Sequence, residues 1–410
     1  MGIYLDHNAT SPLRPEVREA FAAALDSFPG NPSSVHGPGR AARAALDRAR
    51  ERVAQALAVS EGEILFTSGG TESNNLAIWG SLVREPAASG GPLLIATATE
   101  HPSVLRPAAA LAESGRALVI APVDSQGLVD PRQLVDLALS AGGSRQGAGG
   151  DPRLLSVCAA GGETGAVQDL AAIGAALAQG PARSRPLFHT DAVQAIGRLP
   201  LRLKEWGVDL ASFSAHKFGG PRGVGILFRA SGVPLCPQLR GGEQELGLRP
   251  GTENVAAIVA TATAVELAVA GRDELVRRAR RQIGLLTELL GTRIPEARLV
   301  GPPLSTAPAG APAEKQGDRR LANTATFVIP GVDGRILATR LDLAGLEASA
   351  GSACASGSLE PSQALLAMGF SEAEARAGLR LSTGWNTRDE DIHRAVDILW
   401  KTLAPSGARR

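Results

Sequence analysis

The chain has 410 residues, of which 44% are hydrophobic and 20% charged, with a formal net charge of +1. This length suits two domains rather than one small core, and the composition is that of a globular protein. The near-zero charge gives no general reason to expect nucleic acid or an anionic membrane as a partner, and aromatic residues, at 3%, are too sparse for base stacking.

Helical periodicity alternates with short apolar runs over the first half of the chain. Apolar residues at helical spacing predict helices at 15–28, 39–58, 71–84, 131–139 and 168–179. Short apolar runs predict strands at 64–67, 93–97, 117–121, 154–158, 186–189, 210–213 and 224–228. Strands alternating with helices in this way predict an α/β fold with a mostly parallel sheet that is covered on both faces.

The second half of the chain predicts a smaller α/β unit. A long helical stretch leads into further strand-like and helical segments, at 253–290, 325–329, 334–341, 378–382 and 388–403. We therefore expect a large cofactor-binding domain of residues 15–260 and a small domain of residues 1–14 and 261–410.

Cysteine usage and the N-terminal segment predict a cytoplasmic protein. The three cysteines, Cys158, Cys236 and Cys354, are spaced neither as a disulfide framework nor as a metal-binding pair, so we expect no metal. Residues 1–10 lack the basic and apolar regions of a secretory signal. Runs of about 18 apolar residues, which a membrane span needs, do not occur.

One lysine, Lys217, follows a strand-like run and precedes a glycine-rich turn. A lysine at a strand end beside Ser214 and His216 suits a pyridoxal phosphate enzyme, which needs an amine for a Schiff base and donors for a phosphate. The pKa of free lysine is about 10.4, so such an amine must be desolvated or lie near positive charge. An isolated lysine here would be interpreted as a solvent-facing loop residue, but the motifs around it favour the cofactor site.

A second motif joins a predicted strand to a predicted helix through the small residues around Gly70 and Thr71. Free N–H groups at a helix N-terminus attract anions, and a glycine lets a phosphate approach the backbone closely. The alternative is an ordinary helix cap.

Polar residues follow two further predicted strands. Asp191 could pair with a pyridinium nitrogen, and Gln194, on the same helical face, could reach a ring hydroxyl. His101 could stack on the cofactor ring and move protons, because the pKa of histidine lies near neutrality. Taken singly, Asp191 could equally cap a helix, and His101 could be a packed surface residue.

Small residues surround Cys354 in the segment 349–358, which is typical of a thiol on a mobile loop rather than of a core cysteine. A free thiol is only a few per cent thiolate at neutral pH, so a nearby base or cation must assist it. Arg380 could bind a carboxylate through two hydrogen bonds, although a surface arginine is the alternative.

Together these motifs resemble the cysteine desulfurases of the class-V aminotransferase family, in the group with the longer Ser-Ala-Cys loop. The resemblance extends over almost the whole chain. Its motifs lie at 4–10, 30–36, 67–72, 100–101, 189–194, 214–217, 240–254, 351–354 and 360–362.

The resemblance implies a pyridoxal phosphate enzyme of fold type I, in which Lys217 forms the Schiff base and Asp191 pairs with the ring nitrogen. Gln194 would meet the ring hydroxyl and His101 would stack on the ring. The implied phosphate ligands are Gly70, Thr71, Ser214, His216 and, from a second subunit, Thr252.

The resemblance also implies a homodimer and a reaction with L-cysteine. Cys354 would attack the substrate sulfur, which yields L-alanine and a persulfide on Cys354. Arg380 and Asn31 are the implied substrate-binding residues. The sulfur would pass to an acceptor protein, for iron–sulfur clusters or for thiolation.

Two departures from the family pattern are visible. Gly161 and Gly162 stand where relatives usually carry two asparagines, the second of which helps the arginine to hold the substrate carboxylate. Losing one hydrogen bond to a charged group costs about 1.5–3 kcal/mol. Trp385 follows the Arg-x-Ser-x-Gly motif where relatives carry a basic-lined segment.

The departures leave alternatives to a cysteine desulfurase. One is a related lyase that acts on selenocysteine or a cysteine derivative, and another is a dimeric scaffold with little turnover. A third is an ordinary aminotransferase. Neither a scaffold nor an aminotransferase needs a mobile thiol, so Cys354 is the residue that discriminates against both.

Overall fold

The computed structural model describes residues 2–82, 93–140, 153–181, 185–304, 319–351 and 360–404. Its strands are β1 (Ile3–Tyr4), β2 (Ile64–Thr67), β3 (Leu93–Thr97), β4 (Ala117–Ala121), β5 (Arg153–Ser156), β6 (Leu187–Asp191), β7 (Leu210–Ser214), β8 (Gly225–Arg229), β9 (Arg298–Leu299), β10 (Thr324–Val328), β11 (Leu346–Glu347) and β12 (Gly378–Ser382).

Its helices are α1 (Pro15–Ser27), α2 (Gly37–Ala56), α3 (Gly70–Leu82), α4 (Pro102–Glu113), α5 (Pro131–Ser140), α6 (Leu170–Gln179), α7 (Val255–Ala270), α8 (Arg272–Arg293), α9 (Gly334–Leu343), α10 (Gln363–Ala367), α11 (Glu372–Arg376) and α12 (Asp389–Leu403). Short 3-10 turns lie at Glu61–Glu63, Ala215–Lys217 and Gln244–Gly247.

The largest sheet has seven strands in the order β2-β8-β7-β6-β5-β3-β4. Strand β8 is antiparallel to both of its neighbours, and the remaining pairs are parallel. Because β2 and β7 are each antiparallel to β8, they run in the same direction. The carboxyl ends of β2, β3, β5, β6 and β7 therefore meet at one edge, where ligands bind in open α/β sheets. The predicted seven-stranded, mostly parallel sheet is confirmed.

Alternate residues of these strands face opposite hydrophobic cores. In β2, Phe66 joins the core that includes α2, α6 and α7, whereas Leu65 joins the core that includes α3 and α4. In β5, Leu155 joins the first of these cores and Leu154 joins the second. This period of two follows from the strand pleat, and it shows that helices cover both faces.

Two smaller sheets lie in the remainder of the described chain. Strands β12, β10 and β9 form an antiparallel sheet, and β1 pairs in parallel with β11. Their core contains Ile3 and Leu5 from the start of the chain together with residues of α8, α9 and α12. Ile3 and Leu5 thus pack with the later part of the chain, whereas residues 8–11 lie against the 3-10 turn that follows β7.

The predicted helical stretch at 253–290 is two helices, because α7 ends at Ala270 and α8 begins at Arg272. Among the described residues no single helix is long and apolar enough to span a membrane. Helices α7 and α8 meet that criterion only as a pair, which is bent by 66°, and only by length and composition.

Candidate active site

Lys217 ends the 3-10 turn that follows β7 and is partly buried. Its ammonium group donates hydrogen bonds to the main-chain carbonyls of Asn8, at 2.7 Å, and Ala9, at 3.0 Å. The amine therefore lies against the N-terminal segment, at the carboxyl edge of the large sheet. A partly desolvated amine at a fixed position is suited to Schiff-base formation.

Asp191 ends β6, and only 4% of its surface is exposed. One carboxylate oxygen accepts a hydrogen bond from Asn74 Nδ2 at 2.8 Å, and the other accepts one from the Val193 N–H at 3.0 Å. None of the described cationic side chains forms an ion pair with it. Because buried charges are normally paired, this carboxylate is matched to a positively charged or N–H group of a ligand.

His101 is the N-cap of α4, where its Nδ1 accepts a hydrogen bond from the Ser103 N–H at 3.1 Å. The same nitrogen lies 2.7 Å from the Ser103 hydroxyl, which in turn accepts a hydrogen bond from Asn74 Nδ2 at 2.8 Å. Asn74 therefore connects His101, through Ser103, to Asp191. The structure shows that His101 is both a helix cap and a neighbour of the sheet edge.

Gln194 lies in the turn after β6 and contacts two other segments. Its Nε2 donates a hydrogen bond to the Asn8 carbonyl at 3.0 Å, and its Oε1 accepts one from the Arg198 guanidinium. The Asn8 carbonyl thus accepts hydrogen bonds from both Gln194 and Lys217.

A cavity of about 360 Å³ opens at the N-terminus of α3. Small, hydroxyl-bearing and basic residues line it together with one acidic residue: Thr10, Ser68, Gly69, Gly70, Thr71, Glu72, Ser214, His216, Arg222 and Gly223. A Cβ at Gly70 would lie 2.6 Å from Val193, so only glycine fits this close approach of α3 to the turn after β6. Helix N–H groups, hydroxyls and Arg222 make the cavity suitable for a phosphate.

The imidazole of His216 is neutral at physiological pH. Burial, followed by the charges of Lys217 and Arg222, lowers the pKa of His216 to about 4. Its Nδ1 lies 3.1 Å from the Thr10 hydroxyl. His216 therefore contributes to the cavity as a neutral hydrogen-bonding group.

Arg380 is 4% exposed and lies in the middle of β12. Its guanidinium forms an ion pair with Asp6 at 2.8 Å and donates a hydrogen bond to the Gly162 carbonyl at 3.1 Å. Its Nε has no hydrogen-bond partner among the described residues. A buried guanidinium with an unused donor is suited to an additional anionic group.

Gly162 lies between the N-terminal segment and Gln194. Its carbonyl accepts a hydrogen bond from Asn8 Nδ2 at 2.9 Å as well as the one from Arg380. A Cβ at position 162 would lie 2.7 Å from Gln194 Nε2. The glycine therefore allows the Gln194 amide to pack against the main chain at position 162, and the Gly162 carbonyl holds Arg380.

A buried polar chain runs beneath the site. The Ser156 hydroxyl lies 2.9 Å from both Glu100 Oε1 and His189 Nδ1, and His189 Nε2 lies 3.2 Å from Ser212. Burial, followed by the charge of Asp191, raises the pKa of Glu100 to about 8. Glu100 is thus mainly protonated at neutral pH, which removes a repulsive charge near Asp191.

The sequence matches the family model Aminotransferase class-V over residues 3–395. The chain belongs to the class-V aminotransferase family. A cysteine desulfurase IscS of Dictyoglomus turgidum is 38% identical over 401 residues, which cover 98% of this chain and 94% of the relative.

Two solved structures place the chain in the same fold family. A NifS-like protein superposes with a TM-score of 0.84 at 32% identity, over 98% of this chain and 99% of that one. SspA in complex with cysteine superposes with a TM-score of 0.72 at 29% identity, over 92% and 98% of the two chains.

The structure of this class-V family member brings most of the predicted site residues to one edge of the large sheet. Lys217, Asp191, Gln194 and His101 lie there, and the predicted phosphate ligands Gly70, Thr71, Ser214 and His216 line the adjacent cavity. Arg380 is linked to this group through Asn8 and Gly162.

Two predicted site residues, Thr252 and Asn31, are not joined to this group in the described structure. Cys354 lies outside the described residues. Thr252 is exposed and does not line the cavity, and Asn31 is exposed, with its side chain accepting a hydrogen bond from the nearby Ser33 N–H at 2.9 Å. Their roles stay predictions. Among the described residues, no cluster of His, Cys, Asp and Glu could hold a metal ion.

Sequence reasoning missed Asp6, Asn8 and Arg198. Asp6 and Asn8 lie within the motif at 4–10 that indicated the family. The motif pointed to the family, but it did not predict the contacts that these two side chains make. Arg198 lies four residues after Gln194, the spacing that places two side chains on one face of a helical turn.

Proposed function

We propose that this chain is a pyridoxal phosphate-dependent cysteine desulfurase, which converts L-cysteine to L-alanine and transfers the sulfur to Cys354. The observation that carries the proposal is the placement of Lys217 and Asp191 beside an anion-binding cavity at one sheet edge. The relatives named cysteine desulfurase support this choice over the alternatives of an altered substrate or a scaffold.

The residues present fit pyridoxal 5'-phosphate. Asp191 is a buried carboxylate that lacks a cationic partner among the described residues, as a pyridinium nitrogen requires. The cavity at Gly70 and Thr71 suits the phosphate. When bound, the cofactor withdraws electrons from the substrate carbon and so assists cleavage of the carbon–sulfur bond.

The proposed roles of the side chains follow from their positions. Lys217 binds the cofactor and moves the proton at the substrate α-carbon, and Asp191 holds the ring nitrogen. His101 stacks on the ring, while Gln194 donates a hydrogen bond to the ring oxygen. Arg380, with Asn31, binds the substrate carboxylate.

In the proposed sulfur transfer, the Cys354 thiolate attacks the sulfur of bound L-cysteine. A sulfur–sulfur bond forms as the carbon–sulfur bond breaks, and the β-carbon takes a proton. The thiol of Cys354 and L-cysteine become a persulfide and L-alanine, so no external oxidant is consumed. SspA has been solved in complex with cysteine, which supports L-cysteine as the substrate.

The proposal includes a homodimer, with Thr252 of the second subunit at the phosphate, and an acceptor protein for iron–sulfur assembly or thiolation. It also includes a cytoplasmic location, where a single reactive thiol stays reduced.

We further propose that the chain divides into a large domain of residues 15–260 and a small domain of residues 1–14 with 261–410. The shared hydrophobic core of Ile3, Leu5 and the later helices supports grouping the N-terminal residues with the small domain, whereas the residues of α7 up to Ala268 pack in the core of the large domain.

The test measures alanine released from L-cysteine by the pyridoxal phosphate-loaded protein in the presence of a thiol reductant. Wild type is compared with Cys354→Ala and with the control Cys236→Ser, a partly exposed cysteine. We expect alanine from wild type and the control, and almost none from Cys354→Ala. Wild-type protein that binds the cofactor through Lys217 but releases no alanine would refute the proposal.

A further inference from the structure

Arg198 is a partly buried arginine whose guanidinium, in the part of the chain that the structure describes, donates hydrogen bonds only to uncharged oxygens. Its acceptors are Oε1 of Gln194, the main-chain carbonyl of Lys217 at 3.1 Å and, at 3.5 Å, that of His7. None of the described acidic side chains forms an ion pair with it. The guanidinium thus contacts the residue proposed to meet the cofactor ring oxygen and the backbone of the proposed Schiff-base lysine.

The charge that acts on the Arg198 guanidinium is that of a second arginine, Arg380. Burial, followed by the charge of Arg380, lowers the pKa of Arg198 to about 10, so the group is still protonated at neutral pH. Asp6 is already paired with Arg380. Because a desolvated charge is costly without a partner, Arg198 favours an anionic group nearby.

The chemistry of the arginine also fixes the orientation of the Gln194 amide. A guanidinium has donors only, so the oxygen of the amide must face Arg198. Its nitrogen then faces the Asn8 carbonyl at 3.0 Å, which uses one of its two N–H groups. Within the described part of the chain no second acceptor contacts this nitrogen, so its other N–H remains for a ligand. Gly162 lacks the Cβ that would clash with the amide in this orientation.

We propose that Arg198 is a positioning residue of the cofactor site. It holds the Gln194 amide with its nitrogen toward the ring oxygen of pyridoxal phosphate, and its charge favours the ionised form of that oxygen. This inference rests on the proposed function, because it assumes that pyridoxal phosphate occupies the site.

The experiment compares wild type with Arg198→Gln, Arg198→Lys and the control Arg202→Gln, which changes an arginine paired with Glu205 at the surface. The cofactor affinity of each apoprotein and the pH midpoint of the bound cofactor's absorbance change are measured. Arg198→Gln should raise that midpoint by about one pH unit, because a neighbouring charge shifts a pKa by about 1–3 units. It should weaken cofactor affinity about tenfold.

Arg198→Lys keeps the charge, so its midpoint should stay close to that of wild type, as should the midpoint of Arg202→Gln. A midpoint in Arg198→Gln that equals the wild-type value would overturn the inference. Equal midpoint shifts in Arg198→Gln and Arg198→Lys would also overturn it, because they would indicate a structural role without a role for the charge.

A second variant covers the case in which Arg198→Gln does not fold. Gln194→Met leaves Arg198 in place but removes the amide nitrogen, and it should weaken cofactor affinity about tenfold. Unchanged affinity would overturn the inference. Wild-type protein that binds no pyridoxal phosphate and releases no alanine would refute the proposed function itself. Wild-type protein that binds pyridoxal phosphate and releases alanine would uphold the proposed function. If the pH midpoint of Arg198→Gln then equals that of wild type, only the role of Arg198 is refuted.

Discussion

The Asp6 carboxylate lies 2.8 Å from the Arg380 guanidinium, although the two residues are 374 positions apart in the chain. Side-chain exposure is 4% for Arg380 and 18% for Asp6, so the pair is largely shielded from solvent. The ion pair joins the N-terminal segment to the middle of β12. Asp6 therefore orients the arginine that we propose as the ligand of the substrate carboxylate.

Asp6→Asn should lower the free energy of unfolding by about 2 kcal/mol, less than for a fully buried pair, because it leaves a desolvated guanidinium unpaired. It should also raise KM for L-cysteine about tenfold, with a smaller change in kcat, since the guanidinium loses its orientation. Denaturant unfolding and steady-state kinetics measure both effects. The control is Asp47→Asn, which removes an exposed ion pair with Arg43 and should change little. A KM that falls in Asp6→Asn would mean that Asp6 competes with the substrate instead.

Gly162→Ala should weaken cofactor binding about tenfold, because its Cβ would lie 2.7 Å from Gln194 Nε2 and displace an amide held by Arg198. Equilibrium titration of the apoprotein with pyridoxal phosphate measures this loss. Gly62→Ala is the control, since a Cβ there has no neighbour within 4 Å among the described residues. Wild-type affinity in Gly162→Ala would show that Gln194 moves aside without cost.

Glu100→Gln should remove a dependence of stability on pH. The pKa of Glu100 is raised to about 8 in the folded protein, above the value of about 4.3 for an unfolded glutamate. Between these pH values the folded state holds a proton that the unfolded state has lost. The stabilisation is therefore complete below the unfolded pKa and is lost as pH rises through the folded pKa.

We expect the free energy of unfolding of wild type to fall from about pH 5 to pH 8, by at most about 1.4 kcal/mol per pH unit from this group. The same curve for Glu100→Gln should be flatter. The exposed Glu113→Gln serves as the control. Parallel curves for Glu100→Gln and wild type would contradict the buried protonated state.

Glu245→Gln should loosen the segment 240–254, which contains Thr252. The Glu245 carboxylate accepts hydrogen bonds from the Arg50 guanidinium, at 2.6 and 2.8 Å, and from the Phe66 N–H at 2.8 Å. Removing one charge of a buried pair costs about 3 kcal/mol. Thermal unfolding measures this loss. The control is Glu266→Gln, because Glu266 pairs with Arg52 at a more exposed site. Equal losses in the two variants would refute a special role for Glu245.

The elements that the sequence predicted well are those with a strong local pattern. Predicted bounds agree with β2, β3 and β4, which are short apolar runs, and with β12, in which Leu379 and Leu381 alternate with other residues. Helix α4 was missed, since Pro107 interrupts its pattern; the proline is nevertheless accommodated inside the helix. The two-residue strands β1, β9 and β11 carry too little sequence to form a pattern.

For the site, the sequence predicted the residues that belong to local motifs. It did not predict the residues whose role depends on contacts with distant parts of the chain. Lys217 and Asp191 stand at strand ends, a position that can be predicted from local apolar runs. The partners of Asp6 and Asn8 lie more than a hundred residues away, so one sequence offers no signal for them. For Arg198, the sequence indicates a contact with Gln194 only through the spacing of four residues between them.

The main-chain carbonyl of Asn8 accepts hydrogen bonds from both Lys217 and Gln194. Because this acceptor is backbone, no substitution at position 8 deletes it; only a change in the path of the chain can. Tyr4 is fixed by its pairing with Glu347, so the number of residues between Tyr4 and Asn8 decides where the carbonyl falls. Inserting a single residue between Tyr4 and Asn8 would leave every strand of the large sheet in place. It would still displace the Asn8 carbonyl oxygen that accepts the hydrogen bond from Lys217.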